Sequence, residues 1–215
     1  MNQFEKFSDA EVIHRILNGD KSLYEIIIRR YNPYLYKIGR SYNFNHEDTQ
    51  DLMQDTFFDA YLNLSQFENR AHFKTWIIRI MMNNCYRKKE KSSSKNEIMI
   101  EVNDHSKPLF THENKDSNQV IQNHELGSII EKALGNIPFE YRMAFSLREI
   151  NGFDIHETSK LMNISEANVK VRLHRAKSML KKEIEKSYSA AELFEFNLIY
   201  CDAIVENVMK KINEL

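Results

Sequence analysis

The sequence predicts an all-α protein with two helical domains, and three observations support this fold class. Apolar residues recur at spacings of three and four through most of the 215 residues. The chain has only 5 Gly and 3 Pro, too few for the many turns of a β-rich protein. A polar stretch without periodicity, rich in Ser, Asn, Asp, Glu and Lys, separates two periodic regions. We therefore predict a first domain over 1–90, a flexible linker over 91–123, a second domain over 124–186 and a C-terminal helical extension over 187–215.

Four helices are predicted in the first domain. Ser8 and Glu11 form a capping-box pattern ahead of the first apolar stripe. The second stripe contains Pro33, which is expected to kink or break its helix because proline lacks a backbone N–H. The next two predicted helices cover about 47–64 and 73–89.

The second domain is predicted to end in two helices joined by a tight turn. The helix before these two is predicted to begin at Pro138 and to end at Gly152. Asp154, followed three residues later by Glu157, is a second capping-box pattern. Asn163, which tolerates a left-handed conformation, is placed where that helix must stop. This layout is that of a four-helix module ending in a helix-turn-helix.

The last helix of this module has a buried and an exposed face. Ser165 is a suitable N-cap for it. One stripe is apolar and a second is mostly cationic, as a helix entering the major groove requires. A helical hairpin with a solvated basic face has the same pattern. The apolar stripe contains Val169, Leu173, Ala176 and Leu180, and the other contains Lys170, Val171, His174 and Arg175.

Charge is segregated along the chain although the net charge is only -1. The ionised side chains between residues 46 and 68 are acidic, whereas those of 70–95 and 170–186 are mainly basic. Two basic helical segments and one acidic segment suggest two contacts to DNA and one contact to a positively charged protein.

Other classes of protein are disfavoured. No frame of nucleophile, base and acid is recognisable, there is no Gly-rich phosphate loop, and the 8 His have no metal-ligand spacing, so we expect no enzyme activity, cofactor or metal. Cys85 and Cys201 lie far apart and indicate reduced thiols in the cytosol. No apolar run reaches the roughly 18 residues that span a bilayer, so no membrane insertion is expected.

The chain resembles bacterial sigma factors of the extracytoplasmic function group between about residues 17 and 182. The resemblance lies in EDTQDLMQDTFFDAYLNLSQFENRAHFKTWIIRIMMNNCYRKK and, after the linker, in LGNIPFEYRMAFSLREINGFDIHETSKLMNISEANVKVRLHRAK. Their D-L-x-Q-[DE]-x-F, F-x-x-W-[IL]-x-x-I-x-x-N and V-K-x-R-L-x-R-A runs are individually weak but specific together. The resemblance implies a transcription initiation factor that binds core RNA polymerase and promoter DNA, recognises minus-ten and minus-thirty-five elements and promotes DNA melting.

The resemblance assigns the third helix to docking on a coiled coil of the large polymerase subunit. An ordinary amphipathic core helix has the same sequence pattern. The residues assigned to polymerase binding are Asp48, Asp51, Leu52, Gln54, Asp55 and Phe57.

The resemblance assigns the following loop and the fourth helix to the minus-ten element. A base flipped from the duplex needs stacking and polar edge contacts, which Phe67, Asn69 and Asn83 can supply. Trp76 is expected to support this pocket by core packing. The minus-ten residues are Phe67, Asn69, Arg70, Arg79, Asn83, Arg87 and Lys88.

The resemblance assigns the last helix of the helix-turn-helix to the major groove of the minus-thirty-five element. Arg172 is expected to contact phosphate or to pair with Glu166 or a neighbouring acid, and His174 can equally be a solvated surface residue. The minus-thirty-five residues are Ser165, Asn168, Lys170, Val171, Arg172, His174 and Arg175.

Three positions depart from the family pattern. Thr158 and Ser159 replace an apolar residue and Ala, and Asn163 replaces Gly, so weaker local packing is expected.

The apolar seam after residue 187 predicts a regulatory helix, which packs on its own chain or on polymerase. An anti-sigma factor is a further partner that the resemblance allows. A conventional helix-turn-helix regulator and a protein-binding helical adaptor remain as alternatives.

Overall fold

A computed structural model describes residues 7–68, 71–94, 127, 129–187 and 210. Among these residues the regular structure is helical throughout, as predicted. The predicted linker and C-terminal extension fall outside the described residues, apart from residues 91–94, 187 and 210. The helices are α1 (Asp9–Leu17), α2 (Tyr24–Ser41), α3 (His46–Leu62), α4 (Phe73–Ser94), α5 (129–135), α6 (Phe139–Phe145), α7 (Ile155–Met162) and α8 (Glu166–Ser187).

Local signals begin and end several of these helices. The capping box of Ser8 and Glu11 is formed at the start of α1, as predicted. Gly19 follows with φ +105, a conformation that favours glycine. Asn45 caps α3 by accepting a hydrogen bond from the Asp48 backbone N–H at 2.7 Å.

Pro33 does not break α2, which continues as one helix of 18 residues. Buried side chains lie on both sides of the proline, with Tyr31 at 4% exposure and Leu35 at 0%. We attribute the continuity to this packing, because the burial of the α2 stripe opposes the loss of one backbone hydrogen bond. The expected break is therefore wrong, whereas a kink at Pro33 stays a prediction.

The first domain buries its apolar stripes where α2, α3 and α4 meet. Ile27, Leu35 and Ile77 are fully buried in this core. Gly39 of α2 lies so close to α3 that an added Cβ would be 2.5 Å from Cγ2 of Thr49. A side chain at this position would therefore push α2 and α3 apart.

In the second domain the helix-turn-helix forms as predicted. Asp154 and Glu157 complete a capping box for α7, and Asn163 ends this helix in the left-handed conformation at φ 53 and ψ 48. The hydroxyls of Thr158 and Ser159 are buried, but they donate to the carbonyls of Asp154 and His156 within the helix. Their polarity is therefore satisfied locally.

The helix that begins after Pro138 takes a different form from the prediction. Pro138 is its N-cap rather than its first helical residue. The helix then changes to a π-helical turn over Ser146–Ile150 and ends before Gly152, whose φ is +71.

The two domains share one hydrophobic core in this structure. Met143, Leu147 and Phe153 of the second domain belong to the same buried cluster as the stripes of α2 and α4. The rings of Tyr42 and Phe139 are 4.8 Å apart across this junction. This contact was not predicted, because the two segments are far apart in the sequence.

Candidate interaction surfaces

The outer face of α3 combines acids with large apolar side chains. Asp51 and Asp55 are both exposed, as predicted from their spacing. Phe58 is 64% exposed and Leu62 is 60% exposed, one turn apart on the same helix. Exposed aromatic and aliphatic side chains beside carboxylates are typical of a protein-binding surface. This set, together with Gln54, is called the α3 face below.

Two residues predicted on this surface lie in the core. Leu52 is 4% exposed and Phe57 is 6% exposed, so they hold α3 against its neighbours and cannot contact a partner directly. Phe58 is the exposed aromatic residue that the sequence analysis missed. The Phe57–Phe58 doublet was a usable signal, because neighbouring helical residues are about 100° apart and only one can face the core.

The exposed side of α4 forms a stripe that combines cations, an amide and an aromatic ring. Arg79, Asn83 and Arg87 are all exposed, one turn apart, as predicted. Tyr86 is 57% exposed between them and was missed. Its hydrogen bond with Glu90 raises the pKa of the Tyr86 phenol. These four residues, Arg79, Asn83, Tyr86 and Arg87, are called the α4 stripe below.

The structure corrects the placement of Lys88 on this side of α4. Lys88 Nζ lies 2.5 Å from an Asp48 carboxylate oxygen, and this ion pair joins α4 to α3. Lys88 is about 180° around α4 from Arg79, on the side facing the domain core. The ion pair therefore joins two residues that were assigned to different partners, and Lys88 does not belong to the exposed stripe.

The predicted base pocket is described only in part. Phe67 packs edge-on against Phe73 at 5.2 Å and lies 5.4 Å from Trp76 between ring centroids. Trp76 therefore has the packing role expected of it. Asn69 and Arg70 lie outside the described residues.

The predicted recognition face of α8 is formed and solvent-facing. The Ser165 hydroxyl accepts a hydrogen bond from the Asn168 backbone N–H at 3.2 Å, which caps the helix. Val169 and Ala176 are fully buried, whereas Val171 is 47% exposed. The other exposed side chains on this helix include Asn168, Lys170, His174 and Arg175.

Glu166, next to this face, and Arg175, within it, each contact a neighbouring helix. Glu166 Oε1 lies 3.0 Å from Nδ1 of His156 in α7, so this acid bridges the two helices of the motif. Arg172 is half-buried. Arg175 donates to the Tyr141 hydroxyl at 3.3 Å, which aligns its guanidinium on the exposed side of α8.

In the part of the chain that the structure describes, no helix has both the length and the hydropathy of a transmembrane span. Within the same ranges, no group of three or more His, Cys, Asp and Glu side chains is arranged to hold a metal ion.

The sequence matches two family models in the order of the two domains. Residues 27–94 match sigma-70 region 2, and residues 128–180 match sigma-70 region 4. The ECF RNA polymerase sigma-E factor of Haemophilus influenzae is 25% identical over 190 residues, covering 84% of this chain and 97% of the relative. The protein of the same name from Escherichia coli is 23% identical over 185 residues, covering 84% and 96%.

Two solved structures have a similar fold. One is the sigma factor RpoE in complex with the anti-sigma factor NepR from Bartonella quintana, with a TM-score of 0.61 and 20% identity over 75% of this chain and 96% of that chain. The other is CnrH in complex with the cytosolic domain of CnrY, with a TM-score of 0.58 and 19% identity over 82% and 97%.

The helix-turn-helix, the order of the domains and these matches agree with one another. The two family models together cover more than half of the chain. The protein therefore belongs to the sigma-70 family, in its extracytoplasmic function group, and is a transcription initiation factor that directs RNA polymerase to promoters.

Proposed function

We propose that three surfaces of this sigma factor each bind a different partner during transcription initiation. The α3 face docks on core RNA polymerase, the α4 stripe holds the opened minus-ten strand, and the exposed side of α8 reads the minus-thirty-five element. The observation that carries this proposal is the different chemistry of three exposed helical faces. One is acidic and apolar, one is cationic with an amide and a ring, and one is mainly cationic.

Docking through α3 combines charge attraction with an apolar anchor. Asp51 and Asp55 can attract basic side chains on a partner before contact. Phe58 and Leu62 then supply apolar area, which is removed from water only when the partner binds. Since Leu52 and Phe57 are buried, their role is to fix the rotation of α3.

The α4 stripe has the components of a single-strand binding site. Arg79 and Arg87 can neutralise phosphates, and the Asn83 amide offers both a donor and an acceptor to a base edge. The Tyr86 ring can stack on an unpaired base. Stacking and amide contacts are available only once bases leave the duplex, so this surface would favour the melted promoter.

The α8 face has the chemistry needed for reading a major groove. Lys170 and Arg175 can donate to guanine, and Val171 can contact a thymine methyl. Asn168 and Ser165 lie at the first turn, where backbone N–H groups also attract phosphate. Arg172 is half-buried beside this face and would contact phosphate rather than a base edge.

The domain assignments and an anti-sigma partner belong to the same proposal. The assigned domains, 1–90 and 124–186, each contain one of the matched sigma regions almost entirely. The two similar solved structures are of sigma factors bound to NepR and to the cytosolic domain of CnrY. We infer that this chain also has an inhibitory protein partner, which competes with polymerase for the α3 face.

The docking role is tested by a competition assay for core polymerase. The double variant Asp51→Lys/Asp55→Lys should lose the ability to displace a labelled reference sigma factor, because it repels the basic partner surface. Phe58→Ser should weaken binding without altering helix content, since this side chain is 64% exposed. The control Glu25→Lys/Glu140→Lys makes the same change in net charge at exposed positions outside α3. Normal competition by both α3 variants would contradict the assignment.

A further inference from the structure

Arg175, an exposed cation of the α8 face, has a hydrogen-bond partner in another helix. Its Nη1 atom donates to the hydroxyl of Tyr141 in α6 at 3.3 Å, and Tyr141 is half-buried. Lys170 and His174 lie on the same face, but neither has a hydrogen bond or ion pair to another residue in the described ranges. The contact therefore sets Arg175 apart from these two neighbours on the DNA-reading face.

The backbone on both sides of this contact is held by the core of the second domain. Met143 and Ala144, which follow Tyr141 in α6, are at most 1% exposed. Ala176, next to Arg175, is fully buried, and α6 packs along α8. A tyrosine side chain has only two rotatable torsions, so its hydroxyl is presented at a nearly fixed place. The flexible arginine is therefore tethered to a rigid support.

The support is a neutral hydroxyl, which leaves the charge of the guanidinium intact. Lys177, two residues further along α8, has a different kind of partner, because its Nζ lies 2.9 Å from a Glu149 carboxylate oxygen. A nearby carboxylate offsets the attraction of a cation to DNA phosphates, whereas a phenol does not. Tyr141 can therefore align Arg175 without weakening its attraction to DNA.

The contact also leaves donors of Arg175 available for a base. A guanidinium carries its N–H groups in a planar fork, and Tyr141 accepts only from Nη1. A pair of parallel N–H groups can then contact O6 and N7 of guanine. Because the group is planar, a contact at one corner restricts the direction in which the other donors point.

We propose that Tyr141 is a positioning residue for promoter recognition, which orients Arg175 so that its guanidinium selects a guanine in the minus-thirty-five element. This role rests on the proposed function of the α8 face. An arginine that is already aligned loses less side-chain entropy when it binds. The benefit falls on a bidentate base contact, which requires one orientation, more than on phosphate contacts, which carry no sequence information. Tyr141 therefore raises the preference for one base more than the affinity for DNA in general.

Base preference measured in the complete initiation complex tests this role. Core polymerase carrying the full chain binds a duplex library in which both promoter elements are randomised, and the bound duplexes are sequenced. Arg175→Ala identifies the base pair that Arg175 reads, because the preference for guanine should be lost there. Tyr141→Phe removes only the hydroxyl. It should lower the preference for guanine at that same base pair about threefold to tenfold and leave the other positions unchanged.

Glu149→Gln is the matched control, because it weakens another contact between α8 and the preceding segment while the partner of Arg175 stays in place. This control should keep the full preference for guanine. The double variant Tyr141→Phe/Arg175→Ala should lose no more preference than Arg175→Ala alone, since the hydroxyl then has no guanidinium to orient. An equal loss in Glu149→Gln and Tyr141→Phe would indicate general packing of α8 and would overturn the positioning role.

The sequenced libraries also separate this role from the proposed function. If Arg175→Ala loses the preference for guanine and Tyr141→Phe keeps it, the positioning role is wrong and the reading role of Arg175 stands. Weaker binding of Tyr141→Phe to all duplexes, with unchanged preference, would show that the hydroxyl contacts phosphate itself and would also overturn the positioning role. A preference that survives Arg175→Ala at every position would contradict the reading role of Arg175, and the positioning role with it.

Discussion

Arg142 provides a sharp test of how the second domain is held together. Its guanidinium is buried, and Nη1 donates to the carbonyls of Leu134, Gly135 and Ile137 at 3.3, 2.8 and 3.0 Å. These carbonyls belong to the end of α5 and the turn after it. The Leu134 carbonyl also accepts from the Ile137 backbone N–H at 3.1 Å, and the Gly135 carbonyl also accepts from the Asn43 side-chain amide at 3.4 Å, so the Ile137 carbonyl depends most on Arg142. The side chain therefore closes α5 and joins it to α6.

The expected cost of Arg142→Ala follows from these bonds. Each buried carbonyl left without a donor costs about 1–3 kcal/mol. Removal of the guanidinium also relieves its own desolvation, the effect that lowers the Arg142 pKa to about 10. Water entering the vacated space can satisfy some acceptors. We therefore expect a net loss of about 2–4 kcal/mol in the free energy of unfolding.

Urea denaturation followed by helical circular dichroism measures this loss. The matched control is Arg29→Ala, which removes an exposed guanidinium whose ion pair with Glu25 is one turn away on α2. This control should change stability by less than about 0.5 kcal/mol. Equal stability of Arg142→Ala and the control would show that the hydrogen bonds of Arg142 do not hold the second domain together. Fluorescence of Trp76 in the first domain would show whether the two domains unfold together.

Two further predictions concern DNA. Arg175→Ala should weaken binding to a minus-thirty-five duplex by about 1–3 kcal/mol if its contact is bidentate. Fluorescence anisotropy with matched and base-substituted duplexes measures this, and an equal loss on both would indicate a phosphate contact instead. Asn83→Ala and Tyr86→Ala should impair promoter opening more than recruitment, since each contact needs an unpaired base, and Tyr86→Phe should retain the stacking contribution of about 1–3 kcal/mol. Permanganate footprints with normal melting in both alanine variants would contradict the base-binding role.

Sequence alone predicted the helical fold, the capping boxes and the helix-turn-helix. These features depend on contacts between residues three or four apart, such as Ser8 with Glu11 and Asp154 with Glu157. The left-handed turn at Asn163 is likewise a local property of its side chain and backbone. Local interactions of this kind can be seen in a linear pattern without knowledge of the partners across the fold.

Tertiary structure decided which side chains the surfaces present. The family resemblance placed Leu52 and Phe57 among the polymerase-binding residues, and the spacing of α4 placed Lys88 beside Arg79, Asn83 and Arg87. Packing between α2, α3 and α4 turns Leu52 and Phe57 inward and leaves Phe58 exposed, and Lys88, on the opposite side of α4 from Arg79, pairs with Asp48 of α3. A helical pattern gives relative angles only, because the absolute rotation depends on which neighbours each face meets. The contact of the Lys74 ammonium group with the Phe153 ring could not be predicted from the sequence either. The two residues are 79 positions apart, and their contact forms only when the two domains meet.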